Sequence, residues 1–300
     1  MQKIDDWRWT FFTVDLELTN LCRHKCVFCP REKISRPKGF IDVVFAKKLI
    51  AELGEIGSRI TFCGMGDPLL HPELGEIAKY CRSINGLSFG ITVQASSLDA
   101  ENRKRLVEAR PGFIEISFPT TDKNLFSELI PGSDYKVCLD NIVRLIEEKG
   151  DCRGISIIAV STGKETISSQ KTIEFWADMG LHCRVSSCHS RGGNFNKATL
   201  LTAEAQKREF CGLFALHAFI SWEGKLLACC HDLSGATAIA DLKSDAIQNT
   251  GYRKVSILNK KMPFKICSGC DEPAANRVVP ERPFPESAGA RRRVLKAITR

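Results

Sequence analysis

The feature that most constrains the fold is an alternation of strand-like and helix-like segments, which recurs about six times before residue 190. The strand-like runs are Thr13–Leu18, Arg59–Gly64, Gly90–Gln94, Gly112–Phe118, Gly154–Val160 and Leu181–Ser187. Alternating strands and helices predict parallel strands with right-handed crossovers, and about six such units predict an α/β barrel or open barrel. In such folds the functional residues lie on loops that follow the carboxyl ends of the strands.

Three segments between the strands have the periodicity of amphipathic helices. Asp42–Gly57 carries an apolar residue at every third or fourth position, and Asp42 is a suitable N-cap. Tyr135–Lys149 and Thr166–Met179 show the same pattern. These segments are therefore expected to be the helices that cover the strands.

The pattern changes after the sixth strand. Ala218–Trp222 and Lys225–Cys230 predict a β-hairpin around Glu223-Gly224, and Asp245–Leu258 predicts a helix. We therefore expect a large domain followed by a small one. The expected limits are 1–195 and 196–273, with a basic, mobile tail over 274–300.

Composition is that of an ordinary soluble protein, with 43% hydrophobic and 26% charged residues. No run of 18 apolar residues is present, so no membrane-spanning helix is expected. The first residues lack the apolar segment of a secretory signal, which predicts a cytoplasmic protein. The net charge of +8 does not indicate a nucleic-acid partner, because half of it falls in the last twenty residues.

Fourteen cysteines in such a chain indicate metal binding, because the cytosol is reducing. Cys22, Cys26 and Cys29 directly follow the first predicted strand. Three thiolates within eight residues can hold three irons of a 4Fe–4S cluster and leave the fourth iron open. The alternative is a zinc site, since Cys-x2-Cys is common in zinc modules. His24, inside the motif, is expected to be an exposed loop residue.

The Cys-x3-Cys-x2-Cys motif resembles that of the radical S-adenosylmethionine (SAM) superfamily, and Phe28 before the last cysteine fits the pattern. The resemblance implies a partial (β/α)6 TIM-like barrel, with SAM bound to the open iron through its amino and carboxylate groups. It also implies that one electron cleaves SAM to methionine and a 5′-deoxyadenosyl radical. A flavodoxin- or ferredoxin-type protein is the implied electron donor.

A second motif follows the second strand. Gly64-Met65-Gly66-Asp67-Pro68 looks like the family's Gly-Gly-Glu-Pro segment, whose backbone and acid are implied to hold the SAM ammonium. Asp67 stands where the family has Glu, so a direct contact by its shorter side chain is left open. The alternative is a simple Gly-Pro turn.

Polar residues also follow the third and fourth strands. Gln94 or Ser96 lies where many relatives carry Thr-Asn-Gly, which implies a hydrogen bond to the SAM ribose. Ile116-Ser117-Phe118 resembles the family's Ile-Ser-Leu, which implies that Ser117 faces SAM. The alternative for these residues is that they are ordinary polar groups at the rim of a barrel.

A second group of cysteines lies near the carboxyl terminus. Its members are Cys211, Cys229, Cys267 and Cys270. The arrangement resembles the SPASM/Twitch extension of radical SAM enzymes, in the short Twitch form, and implies an auxiliary 4Fe–4S cluster. The adjacent Cys230 leaves the hairpin ligand open between two residues, and only the spacing Gly224-x4-Cys229 favours Cys229. The alternative is a structural zinc ribbon with the same four ligands.

The remaining cysteines are expected to have other roles. Cys63, Cys81, Cys138, Cys152 and Cys183 are predicted to be buried small hydrophobic residues. Cys188 ends the sixth strand and is a candidate for contact with substrate. In the loop that follows, Arg191 is a candidate for binding a substrate hydroxyl or carboxylate, or else a cap of that loop.

The sequence thus favours an enzyme that abstracts hydrogen from an unactivated C–H bond, most simply to oxidise a carbinol of a small sugar- or cyclitol-like molecule. Four cysteines leave no open iron in the auxiliary cluster, which favours an electron-accepting role. One alternative is a maturase of a ribosomally made peptide, forming thioethers or epimerising residues. The short stretch before the first strand predicts no leader-binding domain, which disfavours it. Another alternative is a non-catalytic zinc or electron-transfer protein.

Overall fold

The sheet contains nine strands in the part of the chain that the computed structural model describes, residues 7–149, 154–164, 167, 169–202, 211–259 and 264–273. The strands are β1 Thr13–Leu16, β2 Arg59–Phe62, β3 Ser88–Gln94, β4 Phe113–Ser117, β5 Ile155–Ser161, β6 His182–Ser187, β7 His217–Ile220, β8 Lys225–Leu227 and β9 Ala238–Asp241. The α-helices are α1 Val43–Glu55, α2 Leu74–Ser83, α3 Ala100–Ala109, α4 Lys123–Leu129, α5 Tyr135–Glu148, α6 Ser169–Asp178, α7 Gly212–Leu216 and α8 Ile247–Leu258.

The strand order is β6-β5-β4-β3-β2-β1-β7-β8-β9, and β1 to β6 are all parallel to their neighbours. The predicted α/β fold with a partial, open TIM-like barrel is therefore confirmed. All six predicted strands are present, and their ends differ from the predictions by two residues or fewer.

The C-terminal hairpin continues this sheet. β7 pairs in parallel with β1, so that Thr13 lies opposite His217, and β8 and β9 follow with antiparallel pairing. The hairpin was predicted, whereas β9 was not. Because of this pairing the C-terminal hairpin is continuous with the first strand of the barrel.

The two faces of the parallel strands differ in polarity. Val14 and Leu16 of β1 are fully buried in the core that the helices cover, and the alternate residues of the neighbouring strands face the other way. We call this second face, which the helices do not cover, the concave face of the partial barrel. On it Thr92 Oγ1 donates to Glu115 Oε2 at 3.2 Å, and Arg184 lies 3.6 Å from Glu115. The concave face is therefore lined by hydrogen-bonding and charged groups.

Aspartate caps fix the first turns of four helices. Asp42, predicted as the cap of α1, accepts from the Phe45 N–H at 2.8 Å. Asp99, Asp122 and Asp134 do the same for α3, α4 and α5. Each cap satisfies N–H groups that have no partner within the helix, so the preceding loops end at defined positions.

Some of the predicted features lie outside the residues that the structure describes. The predicted start of α6 at Thr166, Cys152 and the predicted tail 274–300 lie outside them, while the expected division near residue 195 falls in the loop between β6 and α7. None of the described helices is long and apolar enough to span a membrane.

Candidate cluster and cofactor site

The loop after β1 carries the first three cysteines and is fastened at both ends. Thr19 Oγ1 donates to the carbonyl of Gly39 at 2.7 Å. Asn20 donates to the carbonyl of Pro37 at 2.7 Å and accepts from the Gly39 N–H at 3.1 Å. These bonds close the segment between residues 20 and 37 into one compact loop, which we call the cysteine loop.

The three thiols of the cysteine loop lie close together and are half-buried. Burial, followed by the neighbouring Cys29 and Cys22, raises the pKa of Cys26 to about 12. Burial is also the main cause that raises the pKa of Cys22. Each thiolate here disfavours the ionisation of its neighbours, and bound iron would offset that effect. Three such thiolates are the protein donor set of an iron–sulfur cluster with one open iron. The residues present therefore fit the predicted cluster.

Gln94, at the end of β3, faces this cluster site. Its Nε2 lies 3.7 Å from Cys26 Sγ, and its Oε1 is buried and has no hydrogen-bond partner among the described residues. A buried carbonyl oxygen without a partner is costly, and a bound donor removes that cost. This arrangement fits the ligand contact predicted for Gln94. Ser117 lies beside Gln94 in the β3–β4 register.

The segment Gly64–Pro68 packs directly on the cysteine loop. The Asp67 N–H donates to the carbonyl of Leu21 at 2.8 Å. A Cβ on Gly66 would lie 2.2 Å from the Thr19 carbonyl oxygen, so this position requires glycine. Gly66 thus allows the segment after β2 to pack closely against the backbone of the loop after β1. Gly64 is exposed, Met65 donates its N–H to Glu17 at 3.1 Å, and Pro68 is buried.

Asp67 is bound within the protein. Its carboxylate accepts from the Leu69 N–H at 3.1 Å and from the hydroxyl of Ser97, and the residue is 4% exposed. The side chain therefore caps the short helical turn Pro68–Leu70. Its backbone faces the cysteine loop.

The expectation that His24 is an exposed loop residue is wrong. Its side chain is 13% exposed, and its ring nitrogens lie 2.6 Å from Ser97 Oγ and 3.1 Å from Ser96 Oγ. His24 Nε2 lies 3.8 Å from the Asp67 carboxylate. This network joins the loops after β1, β2 and β3, and it occupies the hydroxyl of Ser96. In the sequence, this network could have been indicated by Ser96 and Ser97, which follow the third strand.

Phe28 belongs to the core beneath the cysteine loop. It is 7% exposed and lies in the main hydrophobic cluster. It anchors the loop through burial of its ring. Cys81, Cys138 and Cys183 are buried as predicted. Cys63 departs from that prediction, because it is half-buried on the concave face.

The C-terminal cysteines line one cavity. The cysteines of this pocket are Cys211, Cys229, Cys230, Cys267 and Cys270. Burial, followed by Cys211 and Cys270, raises the pKa of Cys267 to about 11. The structure thus brings together the four cysteines that the sequence selected, with Cys230 as a fifth. We call this cavity the cysteine pocket.

Cys229 and Cys230 have different surroundings in the cysteine pocket. A hydrogen bond with Cys230 raises the pKa of Cys229, and Cys211 adds to that effect. The same bond, followed by the charge of His231, lowers the pKa of Cys230, with a further contribution from His217. Both thiols therefore contact His231, whose N–H donates to Cys229 Sγ at 3.4 Å, but only Cys229 is influenced by Cys211 and only Cys230 by the rings of His231 and His217.

A group of two histidines and one carboxylate adjoins the pocket. Glu272 lies 3.0 Å from His189 Nε2 and 2.8 Å from His231 Nε2. The three residues offer ligand atoms within 4.8 Å of one another, as a metal ion requires. Burial, followed by the charge of Arg191, lowers the pKa of His189 to about 4. No local pattern in the sequence indicates this group, because its members are far apart in the chain.

The loop after β6 turns tightly against the cysteine pocket. Arg191 adopts a left-handed conformation with φ of 54°, and a Cβ on Gly192 would lie 2.4 Å from Ile266. Asp271 fastens the loop by accepting from the Ser190 N–H at 2.6 Å and hydroxyl at 2.7 Å. Cys188 is 4% exposed, and burial raises its pKa. Arg191 is thus placed between the barrel and the pocket.

A partial barrel with three cysteines on the loop after its first strand defines the class of iron–sulfur enzymes that bind SAM. The chain belongs to the radical SAM superfamily, which it matches over residues 16–175. A 4Fe–4S cluster and SAM are therefore its cofactors.

Relatives by sequence align with part of this chain. GTP 3′,8-cyclase of Chlorobaculum tepidum is 33% identical over 118 residues, which is 39% of this chain and 35% of that protein. Fe-coproporphyrin III synthase of Methanosarcina barkeri is 28% identical over 101 residues, which is 33% of this chain and 25% of that protein. The chain thus spans 35% of the length of the first relative and 25% of the length of the second.

Solved structures with the same fold cover most of the chain. BtrN, the butirosin-pathway enzyme, in complex with AdoMet and 2-DOIA superposes with a TM-score of 0.61 at 15% identity, over 92% of this chain and 96% of BtrN. Streptococcus suis SuiB bound to the precursor peptide SuiA gives a TM-score of 0.64 at 14% identity, over 87% and 71%. At such identities the likeness concerns the fold, and the fold agrees with a radical SAM enzyme that has an auxiliary domain.

Proposed function

We propose that the chain oxidises a carbinol of a small sugar- or cyclitol-like molecule to a ketone. The single observation that carries the proposal is the cysteine pocket, which offers four thiol ligands beside the loop of Arg191. When bound, the SAM cluster supplies a 5′-deoxyadenosyl radical, and an auxiliary cluster supplies an electron acceptor. Likeness in fold to BtrN, whose structure contains AdoMet and 2-DOIA, supports this substrate class.

The strand-end loops are suited to hold SAM. Cys22, Cys26 and Cys29 bind the irons, and the open iron is left to the SAM amino acid moiety. The backbone of Gly64–Pro68 lies against the cysteine loop, and the carbonyl oxygen of Gln94 is available for a donor on SAM. Ser96 acts by orienting His24, and Ser117 completes this side of the site.

The concave face favours a substrate rich in hydroxyl groups. Glu115, Thr92 and Arg184 form a chain of acceptors and donors there. Such groups pair with hydroxyls, whereas they would be left desolvated against an apolar substrate. Arg191, on the loop beside this face, is the candidate that holds the substrate through its guanidinium, and Cys188 lies at the base of the same loop.

The proposed oxidation removes one hydrogen atom, one proton and one electron from the substrate. The carbinol carbon gives up one hydrogen atom, which ends in 5′-deoxyadenosine, and the hydroxyl gives up one proton to water. One electron then leaves, so that CH–OH becomes C=O. Cys211, Cys229, Cys267 and Cys270 would saturate the irons of an auxiliary cluster, which could then accept the electron without binding the substrate. A flavodoxin- or ferredoxin-type protein returns electrons to the first cluster.

The test uses 2-DOIA and other aminocyclitols deuterated at the carbinol carbon. Deuterium is expected in 5′-deoxyadenosine, with about one ketone per SAM cleaved. Cys267→Ala is expected to cleave SAM and form little ketone, whereas Cys138→Ala, which removes a buried thiol of α5, keeps ketone formation. A product at the oxidation level of the substrate would contradict the proposal.

Likeness in fold to SuiB, solved with its precursor peptide, favours peptide maturation as the second candidate. It predicts a product peptide with a new bond or an inverted centre, and no ketone. The third alternative, a non-catalytic zinc or electron-transfer protein, does not agree with membership of the radical SAM superfamily.

A further inference from the structure

Lys254 is a fully buried lysine on α8. Its exposed fraction is 0%, and it lies on the face of the helix that also buries Thr250 and Val255. Transferring an ammonium group from water into a protein interior costs several kcal/mol unless it is paired. The residue therefore requires a compensating interaction.

The neighbours of the Lys254 ammonium are neutral. Nζ donates to the carbonyl of Thr10 at 2.6 Å and to that of His217 at 2.8 Å. The rings of Phe11 and Phe214 lie 5.1 and 4.9 Å from it. Among the ion pairs of the described residues none includes Lys254. Dipoles and aromatic faces hold the cation in place, but they supply no negative charge.

The Lys254 ammonium lies behind the wall of the cysteine pocket. His217 and Phe214, which contact it, both line that pocket. Phe214 also donates its N–H to Cys211 Sγ at 3.4 Å, so the ring and the ligand belong to the same turn. Burial lowers the pKa of Lys254 to about 7, and the negative charge of Cys211 opposes that effect. The charge of a Cys211 thiolate therefore favours the protonated form of this lysine.

We propose that Lys254, in its protonated form, raises the reduction potential of the cluster held in the cysteine pocket. The inference rests on the proposed function, because it requires an iron–sulfur cluster there. Reduction adds one negative charge to the cluster, and a buried cation nearby stabilises the reduced state more than the oxidised one. Lys254 is a positioning residue: it acts on the cluster without contacting the substrate.

The experiment measures the midpoint potential of the auxiliary cluster by redox titration followed by electron paramagnetic resonance. The background is Cys22→Ala/Cys26→Ala/Cys29→Ala, which leaves only the cysteine pocket to bind iron. Lys254→Met keeps the length of the side chain and removes the charge. We expect a tenfold shift of the redox equilibrium toward the oxidised cluster, which equals about 59 mV for one electron.

Two further variants separate charge from shape. Arg253→Met removes a positive charge from the next position of α8, where Arg253 is exposed and paired with Asp245 at 2.8 Å. We expect it to shift the equilibrium less than twofold, because water screens that charge. Lys254→Arg keeps the charge and is expected to stay near the parent potential.

A second measurement tests a purely structural role. In the iron-free protein Lys254→Met is expected to increase the free energy of unfolding, since an apolar side chain replaces a buried charge. A variant that is more stable without iron but fails to retain the cluster also supports the proposal. An unchanged potential with the cluster intact, or a less stable iron-free variant that loses the cluster, overturns it. Absence of iron from the background protein would instead contradict the proposed function.

Discussion

Glu17 and Arg36 form a two-point ion pair that is almost completely withdrawn from solvent. Nη1 and Nη2 of Arg36 lie 2.9 and 3.1 Å from the two carboxylate oxygens, and the side chains are 0% and 3% exposed. The same carboxylate accepts from the Met65 N–H at 3.1 Å and from the Trp222 N–H at 3.3 Å. One side chain thus joins the cysteine loop, the segment after β2 and the β7–β8 hairpin.

Glu17→Gln is expected to lower the free energy of unfolding by up to about 3–5 kcal/mol, because it removes the buried partner of Arg36 and leaves only Glu223, 3.4 Å from Nη1, to pair with that charge. Denaturant unfolding of the iron-free protein measures the change. Lys136→Ala removes an exposed ion pair with Asp140 and is expected to leave the free energy of unfolding nearly unchanged, because water screens that pair. Equal effects of the two substitutions would contradict the role assigned to Glu17.

Gly66→Ala is expected to prevent assembly of the first cluster, because its Cβ would meet the Thr19 carbonyl and displace the cysteine loop. Iron content after reconstitution measures the effect. Gly75→Ala on the exposed first turn of α2 is the control, since a Cβ there meets nothing within 4 Å. It should leave iron content unchanged and stabilise the helix by up to about 1 kcal/mol.

Gln94→Leu is expected to retain iron and to weaken SAM binding about tenfold, because Oε1 no longer accepts a hydrogen bond from SAM. Equilibrium binding of SAM to the reconstituted protein checks this. Gln170→Leu alters an exposed residue of α6 and should not change the affinity. Wild-type affinity in Gln94→Leu would assign this side chain to the support of Cys26 alone.

Cys229→Ala is expected to lose the auxiliary cluster, whereas Cys230→Ala should keep it. The reason is that Cys211 acts on Cys229, whereas the imidazole rings of His231 and His217 act on Cys230; both thiols contact His231, because Cys229 Sγ accepts from its N–H at 3.4 Å. Iron content in the background without the first three cysteines distinguishes them. The opposite result would make Cys230 the ligand.

The sequence predicted what depends on local order along the chain. The periodicity of β1 to β6, the cap Asp42 and the spacing of Cys22, Cys26 and Cys29 are all local patterns, and the strands and the cap agree with the structure. The closeness of the C-terminal cysteines was predicted through a resemblance.

What the sequence did not predict depends on contacts between distant segments. Glu17 meets Arg36, Met65 and Trp222 only after the sheet has formed, and no periodicity encodes that meeting. Glu272 with its two histidines and the buried Lys254 were missed for the same reason. A polar residue that is buried by its tertiary partners looks, in sequence alone, like one that faces water.

The most direct test of the account is the metal content of the variant Cys22→Ala/Cys26→Ala/Cys29→Ala, purified and reconstituted without oxygen. The unmodified chain is expected to bind about eight irons per chain, in two clusters. The variant is expected to keep about four irons and a matching amount of sulfide, held by the cysteine pocket. Zinc in the variant, or no iron at all, would contradict the auxiliary cluster and the oxidation that depends on it.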